Sequence, residues 1–177
     1  LNIRVISLAY GTDSLQASDV DPLAHAVEAA WRAGIVVIVS AGNSGGFLTQ
    51  PSDSKGLMQP ARDPWVIAVG ATDTNGTPTY SDDRLAGFSN LGDGDNNEKR
   101  NPEVVAPGRS IVSLRVPGGY VDETYAATGA VDDRMFRGSG TSQAAAVVAG
   151  AAALIVQQRP TITPDQVKRL LQITATP

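Results

Sequence analysis

The chain has 177 residues, of which 42% are hydrophobic and 18% charged, with a formal net charge of -4. That length supports one domain with a sizeable core, and the composition excludes a generally disordered chain. The acidic balance provides no basic footprint for nucleic acid, and the absence of cysteine excludes disulfides and thiolate metal sites without fixing the compartment.

Ile3-Arg4-Val5-Ile6-Ser7-Leu8 is a β-branched run that predicts a strand. Asp19 or Asp21 followed by Pro22 predicts a capped helix start, Leu23, Val27, Ala30 and Trp31 continue at helical spacing, and Gly34 closes the helix. Ile35 to Val39 is a continuous apolar run of the kind buried on both faces. Strand, helix and strand in that order predict a right-handed parallel crossover, and such sheets bind ligands at the carboxyl ends of their strands, where Asn43 falls. Phe47 to Pro64 reads as a loop, Trp65 to Ala71 as a second buried strand, and Thr74-Asn75-Gly76-Thr77 as a tight turn. Asp93 to Arg100 reads as a hydrophilic loop, and Pro102 to Gly108 and Ile111 to Leu114 as two short strands around a Pro-Gly turn. Gly118 to Phe136 reads as irregular, with one short strand near Tyr125. Ala144 to Val156 carries no charge and predicts a helix buried all round. Pro160 stops it, and Thr163-Pro164-Asp165-Gln166 opens a final helix with a capping box. No repeat or linker divides the chain, so residues 1–177 read as one unit. No signal-peptide pattern opens it, and Ala144 to Val156 is too short for a membrane span. Opening directly on a strand pattern at Leu1, the chain reads as a piece of something longer.

The stretch around which the rest is organised is Arg137-Gly138-Ser139-Gly140-Thr141-Ser142-Gln143. A glycine-punctuated turn feeding a helix puts Ser142 in the first helical turn, among unpaired N–H groups and the positive dipole end. Taken locally, an ordinary N-capped loop accounts for the same residues.

Gly140-Thr141-Ser142-Gln143-Ala144 to Gly150, read together with Ala41-Gly42-Asn43, closely resembles the nucleophile and oxyanion segments of the subtilisin-like serine proteases. Further blocks in the family's order are Ile6 to Gly11, Asp21 to Gly46, Pro64 to Thr72, Phe88-Ser89 and Asn101 to Gly108. The resemblance implies an α/β fold: a three-layer parallel sheet with flanking helices, the C-terminal part of a catalytic domain, without its N-terminal strands. It implies a serine endopeptidase in which Ser142 attacks a peptide carbonyl, and Asn43 with the Ser142 N–H holds the oxyanion. Thr141 shapes the turn. Ala9-Tyr10-Gly11 and Ser40-Ala41-Gly42 match the edges that pair with an extended peptide and wall the pocket before the cut bond. Gln59-Pro60 matches a cis bond at that pocket's floor. The expected partner is a peptide or protein substrate, with no membrane or nucleic acid. No cofactor is required; structural calcium is left open, and secretion is the family's usual destination.

Three departures qualify the resemblance. Ala146 stands where the family usually has proline, with no catalytic penalty. Met58 stands near the pocket floor, where small residues are common, so the pocket should be shallow or re-shaped. The family's base and orienting acid lie in segments that precede this stretch, and neither is here. The only histidine, His25, falls on the first predicted helix and reads as a solvated position. Residues 1–177 alone are therefore expected to be inactive, and a non-catalytic, peptide-binding homologue is the competing reading. The strand Ile3 to Leu8 is expected to stand at a sheet edge and to pair with the missing segment, another copy or a partner.

Other motifs are weaker. Gly42 to Gly46 fits a Gly-x-Ser-x-Gly elbow around Ser44, but no helix pattern or histidine follows. Asp93-Gly94-Asp95-Asn96-Asn97 begins like a calcium loop, yet the twelfth position is Val104 and not glutamate. Asp13, Asp19 and Asp21 read as turn and cap residues.

Overall fold

A computed structural model of the chain describes residues 2–14, 16–45, 56–92 and 100–176. The calcium-like stretch, the first half of the loop from Phe47 and the last glycine of the Ser44 pattern lie outside the described residues.

The crossover forms as the sequence predicts. Strand β1 (Val5–Leu8) leads to helix α1 (Pro22–Arg32), whose first N–H groups at Leu23 and Ala24 donate to the Asp21 carboxylate at 2.9 and 3.0 Å. Gly34, at φ 87°, turns the chain into β2 (Val36–Ser40), which runs parallel to β1 with Val5 opposite Val36 and Leu8 opposite Val39. All five residues of β2 are buried; because alternate side chains face opposite ways, both faces of this strand are covered.

β3 (Ile67–Asp73) pairs parallel to β2 and ends in a turn with Asn75 and Gly76 both at positive φ, 50° and 73°. That backbone is the mirror-image turn favoured in hairpins, and it returns β4 (Arg84–Leu85) antiparallel to β3. β5 (Val104–Pro107) pairs parallel along β3 from Val69 to Thr72. Since β3 has two edges, β5 occupies the one that β2 and β4 leave. β6 (Ile111–Leu114) and β7 (Met135–Gly138) form a separate antiparallel pair, and helix α2 (Tyr120–Gly129) lies between them in sequence.

Helix α3 (Thr141–Gln158) packs across β1, β2, β3 and β5. Helix α4 (Pro164–Thr174) starts with the expected capping box between Thr163 and Gln166. The Trp31 indole of α1 donates to Asp165 of α4 at 3.0 Å, which puts those two helices in one layer. The result is α/β, a largely parallel sheet between helices, with β1 at its end; among the described residues β1 pairs only with β2.

Two sequence expectations fail. Tyr120–Gly129 is helical, not irregular, and Tyr125 lies inside it. Its apolar residues are largely exposed, so no periodic stripe betrays it; it is held instead by Asp122, whose carboxylate takes the Arg115 Nε at 2.7 Å and the Gly118 N–H at 3.0 Å. Helix α3 is also not buried all round. Its sheet face holds Thr141, Ala144, Ala145, Val148, Ala152 and Val156, while Val147 and Leu154 are 44% and 62% exposed on the opposite side with Ala146, Gly150 and Ala153.

A buried charge cluster ties the start of β3 to α4. Glu103 accepts from Arg100 at 2.5 Å and Lys168 at 3.1 Å, and from the Ala68 N–H at 2.6 Å. Arg100 also donates to the carbonyls of Ala61, Asp63 and Val66. Beside it Asp63 is buried, and desolvation raises its pKa above the ordinary 3.8. A folded-state pKa above the unfolded one means that this carboxyl's contribution is full below about pH 3.8 and lost as pH rises through the raised value. Asp63→Asn keeps the acceptor for the Trp65 N–H and removes that loss. In urea unfolding of the intact protein, the variant should therefore gain stability relative to wild type as pH rises from 3 to 7, and a pH-independent difference would contradict this.

Candidate active site

The site is made where β2 ends and α3 begins. Beyond Ser40 the chain turns through Ala41 and Gly42 to Asn43, and Gly42 has φ 116°, a backbone that side-chain-bearing residues rarely adopt. A Cβ there would also lie 2.5 Å from Asn90 Nδ2 and 2.7 Å from Met58 Sδ. At the other side β7 leads through Ser139 and Gly140 into α3, whose first two residues are Thr141 and Ser142. Gly140 is held by its N–H to Gly108 O at 2.8 Å, and a Cβ on it would stand 2.8 Å from Gln143 Oε1.

Thr141 joins the two segments. Its N–H and hydroxyl both donate to Asn43 Oδ1, at 2.8 and 2.9 Å, and its Oγ1 accepts the Gly42 N–H at 3.1 Å. These bonds fix the orientation of the Asn43 amide: the oxygen faces the helix start and Nδ2 is the end left to donate. Asn43 is exposed, Ser142 half-buried and Thr141 fully buried. Among the described residues neither Asn43 Nδ2 nor the Ser142 N–H has an acceptor. The first-turn N–H groups of a helix carry partial positive charge, so the crevice offers donors to a developing anion.

Ala9 and Tyr10 are exposed beyond the end of β1, and Gly11 is half-buried. Ser40, Ala41 and Gly42 are buried. The Ala41 N–H and C=O are taken by Val69 and Met58, and the Gly42 C=O by the Asn90 N–H, so these backbone groups are already paired. Gln59-Pro60 is cis.

Asn90, which the sequence reading passes over, clamps the loop that carries Asn43. It is buried, accepts the Ser44 N–H at 2.7 Å and donates to Gly56 O at 3.1 Å. The only available signal was its position directly after Phe88-Ser89, which gave no role. Ser44 is exposed in irregular chain. His25 is exposed on α1, and its ring makes no hydrogen bond among the described residues. Nor does any imidazole or carboxylate bond Ser142 there. Among the described residues no group of three His, Asp or Glu is arranged to hold a metal.

A model of the subtilase family matches residues 1–177. The chain belongs to the subtilase family. It is 44% identical over 172 residues to serine protease AprX of Bacillus subtilis, covering 96% of this chain and 37% of that protein. To subtilisin DY of Bacillus licheniformis it is 38% identical, covering 98% of this chain and 50% of the other. Among solved structures it is similar to sphericase, with TM-score 0.71 and 25% identity over 98% of this chain and 49% of that one. It is likewise similar to the prenylagaramide maturation protease PagA, with TM-score 0.70 and 28% identity over 99% of this chain and 53% of that one. This subtilase chain thus spans half or less of the length of these two curated relatives.

Thr141→Val keeps the shape and removes the hydroxyl, leaving the buried Gly42 N–H unpaired. The loss of a buried partner of this kind costs about 1–3 kcal/mol. The midpoint of urea unfolding of the intact protein should fall accordingly, and an unchanged midpoint would show that the Thr141 hydroxyl is not what holds Gly42.

Proposed function

We propose that the protein containing this chain is a serine endopeptidase in which Ser142 is the nucleophile. The observation that carries the reading is the clasp between Thr141 and Asn43 Oδ1, which holds Asn43 against the start of the helix that carries Ser142 and leaves Nδ2 as the end of the amide able to donate. In the proposed reaction Ser142 Oγ attacks the carbonyl carbon, its proton passes to a base and then to the leaving amine, and water hydrolyses the acyl-enzyme. Asn43 Nδ2 and the Ser142 N–H stabilise the oxyanion, Ala9-Tyr10-Gly11 pair with the extended substrate, and Ser40-Ala41-Gly42 wall its pocket.

The base and the acid that orients it are assigned to sequence outside residues 1–177, and the same body is proposed to cover the open edge of β1. Another copy or partner would be the alternative cover. The chemistry needs no redox or nucleotide cofactor, and secretion is the destination that the family favours. The competing reading, a peptide-binding homologue without chemistry, rests on the lack of any base bonded to Ser142 among the described residues.

A fluorophosphonate probe should label Ser142 in the intact protein and not in Ser142→Ala, whereas residues 1–177 alone should give no proteolysis. A folded intact protein that resists the probe would favour the binding module. Asn43→Ala should lower kcat by about 100- to 1,000-fold, the loss of about 2.7–4 kcal/mol known for removal of such a donor from a subtilisin. An unchanged kcat would remove Asn43 from the oxyanion role.

A further inference from the structure

β1 and β2 run side by side as far as Leu8 and Val39 and then part. Into the gap beyond them comes Leu57–Gln59. The Met58 N–H donates to Ala41 O at 3.1 Å, while Gln59 exchanges both backbone bonds with Thr12, at 2.8 and 3.1 Å. The segment is thus laced to both strand extensions at the carboxyl end of the sheet, beside Asn43.

The Met58 side chain occupies the space that two glycines leave. A Cβ on Gly42 would lie 2.7 Å from Met58 Cγ and 2.7 Å from Sδ, and one on Gly11 would lie 3.0 Å from Met58 Cβ and 3.6 Å from Cε. The thioether therefore spans the slot from Gly11 to Gly42. Its backbone has little room to retreat. The Gln59 amide donates to Gln16 O and Ser18 Oγ at 3.1 and 3.2 Å, and Arg62 donates to Leu57 O and Ser14 O.

We propose that Met58 closes the floor of the substrate slot, so that the residue contributing the attacked carbonyl must be glycine or alanine. This rests on the serine-peptidase reading. A carbonyl positioned between Ser142 and Asn43 carries its own side chain on the adjacent carbon, next to Gly42, and the space there is already filled. Each methylene too many in such a slot lowers kcat/KM by about 10- to 200-fold. Methionine's unbranched chain gives way more readily than a branched one, which places this case toward the lower end of that range.

The test uses peptide p-nitroanilides ending in Ala, Leu or Phe with the intact protein, alongside fluorophosphonate labelling of Ser142, which needs no side chain in the slot. Wild type should prefer Ala over Phe by about 100-fold or more in kcat/KM. Met58→Gly should bring that ratio down at least tenfold, chiefly through faster cleavage of the Phe substrate, with Ser142 still taking the label. Met58→Leu should keep the wild-type preference, and Met58→Ala serves as the opening variant if the glycine form does not fold. Labelling that persists in the opened variant with an unchanged Ala-to-Phe ratio overturns the role given to Met58. A folded wild type with no labelling overturns the peptidase reading itself, and this inference with it.

Discussion

The structure depends on one carboxamide oxygen. Asn43 Oδ1 accepts from both the N–H and the hydroxyl of Thr141, which is 98 residues away in the chain. The first helical N–H always lacks an intrahelical acceptor, so a side chain from elsewhere must take it or leave it dry. Gly140, the residue before the helix, makes no side-chain cap, and Asn43 supplies that acceptor from across the sheet. Thr141 returns the contact by accepting the Gly42 N–H, and its β-branched side chain has few rotamers through which to lose it. The orientation of the Asn43 amide is thus set by two hydrogen bonds from a fully buried threonine. The donor geometry of the crevice follows from that orientation.

Helix α3 can deliver its first turn to this place because its side chains are small. Ala144, Ala145 and Ala152 are fully buried against the sheet, and a helix faced with alanine lies close to the strands it crosses. The fit leaves no slack. A Cβ on Gly108 would stand 2.6 Å from that of Ala71, 3.2 Å from that of Ala144 and 2.8 Å from Gly140 O. Gly108 and the buried alanines of α3 therefore set how near the start of that helix approaches β3 and β5. A bulkier residue at any of them would displace Thr141 from Asn43 without touching either.

Much of this was legible in the sequence, for identifiable reasons. The β1–α1–β2 crossover announced itself through Asp21-Pro22, Gly34 and the continuous run to Val39, where local preference and burial agree. The placement of Ser142 in a first helical turn and of Asn43 beyond a buried strand was legible from the glycines before the one and the apolar run before the other, whereas the roles expected of them came only with the family resemblance. Helix α2 was not, since its apolar side chains face outward and what holds it is the Arg115–Asp122 pair, a tertiary contact that no periodicity encodes. Asn90 was invisible for a similar reason: a buried asparagine that clamps a distant loop looks, in sequence, like any turn residue. The uniform apolarity of α3 predicted burial on every side, and half of the helix lacks a neighbour among the described residues.

That open half bears on the chemistry. Ala146 begins the exposed stripe one turn after Ser142, and Val147, Gly150, Ala153 and Leu154 continue it. Helix α3 also packs on β1, the strand at the end of the sheet, so the unpaired edge and the apolar stripe belong to elements in contact. An uncovered strand edge and an apolar helix face are both unfavourable in water, and a single body can relieve both only by lying across α3. A body lying over the first part of the stripe would stand about one helical turn from Ser142, because the stripe begins at Ala146. A cover over Val147 therefore adjoins the start of the helix that carries Ser142, whereas one confined to Leu154 lies about 18 Å along it, at about 1.5 Å per residue.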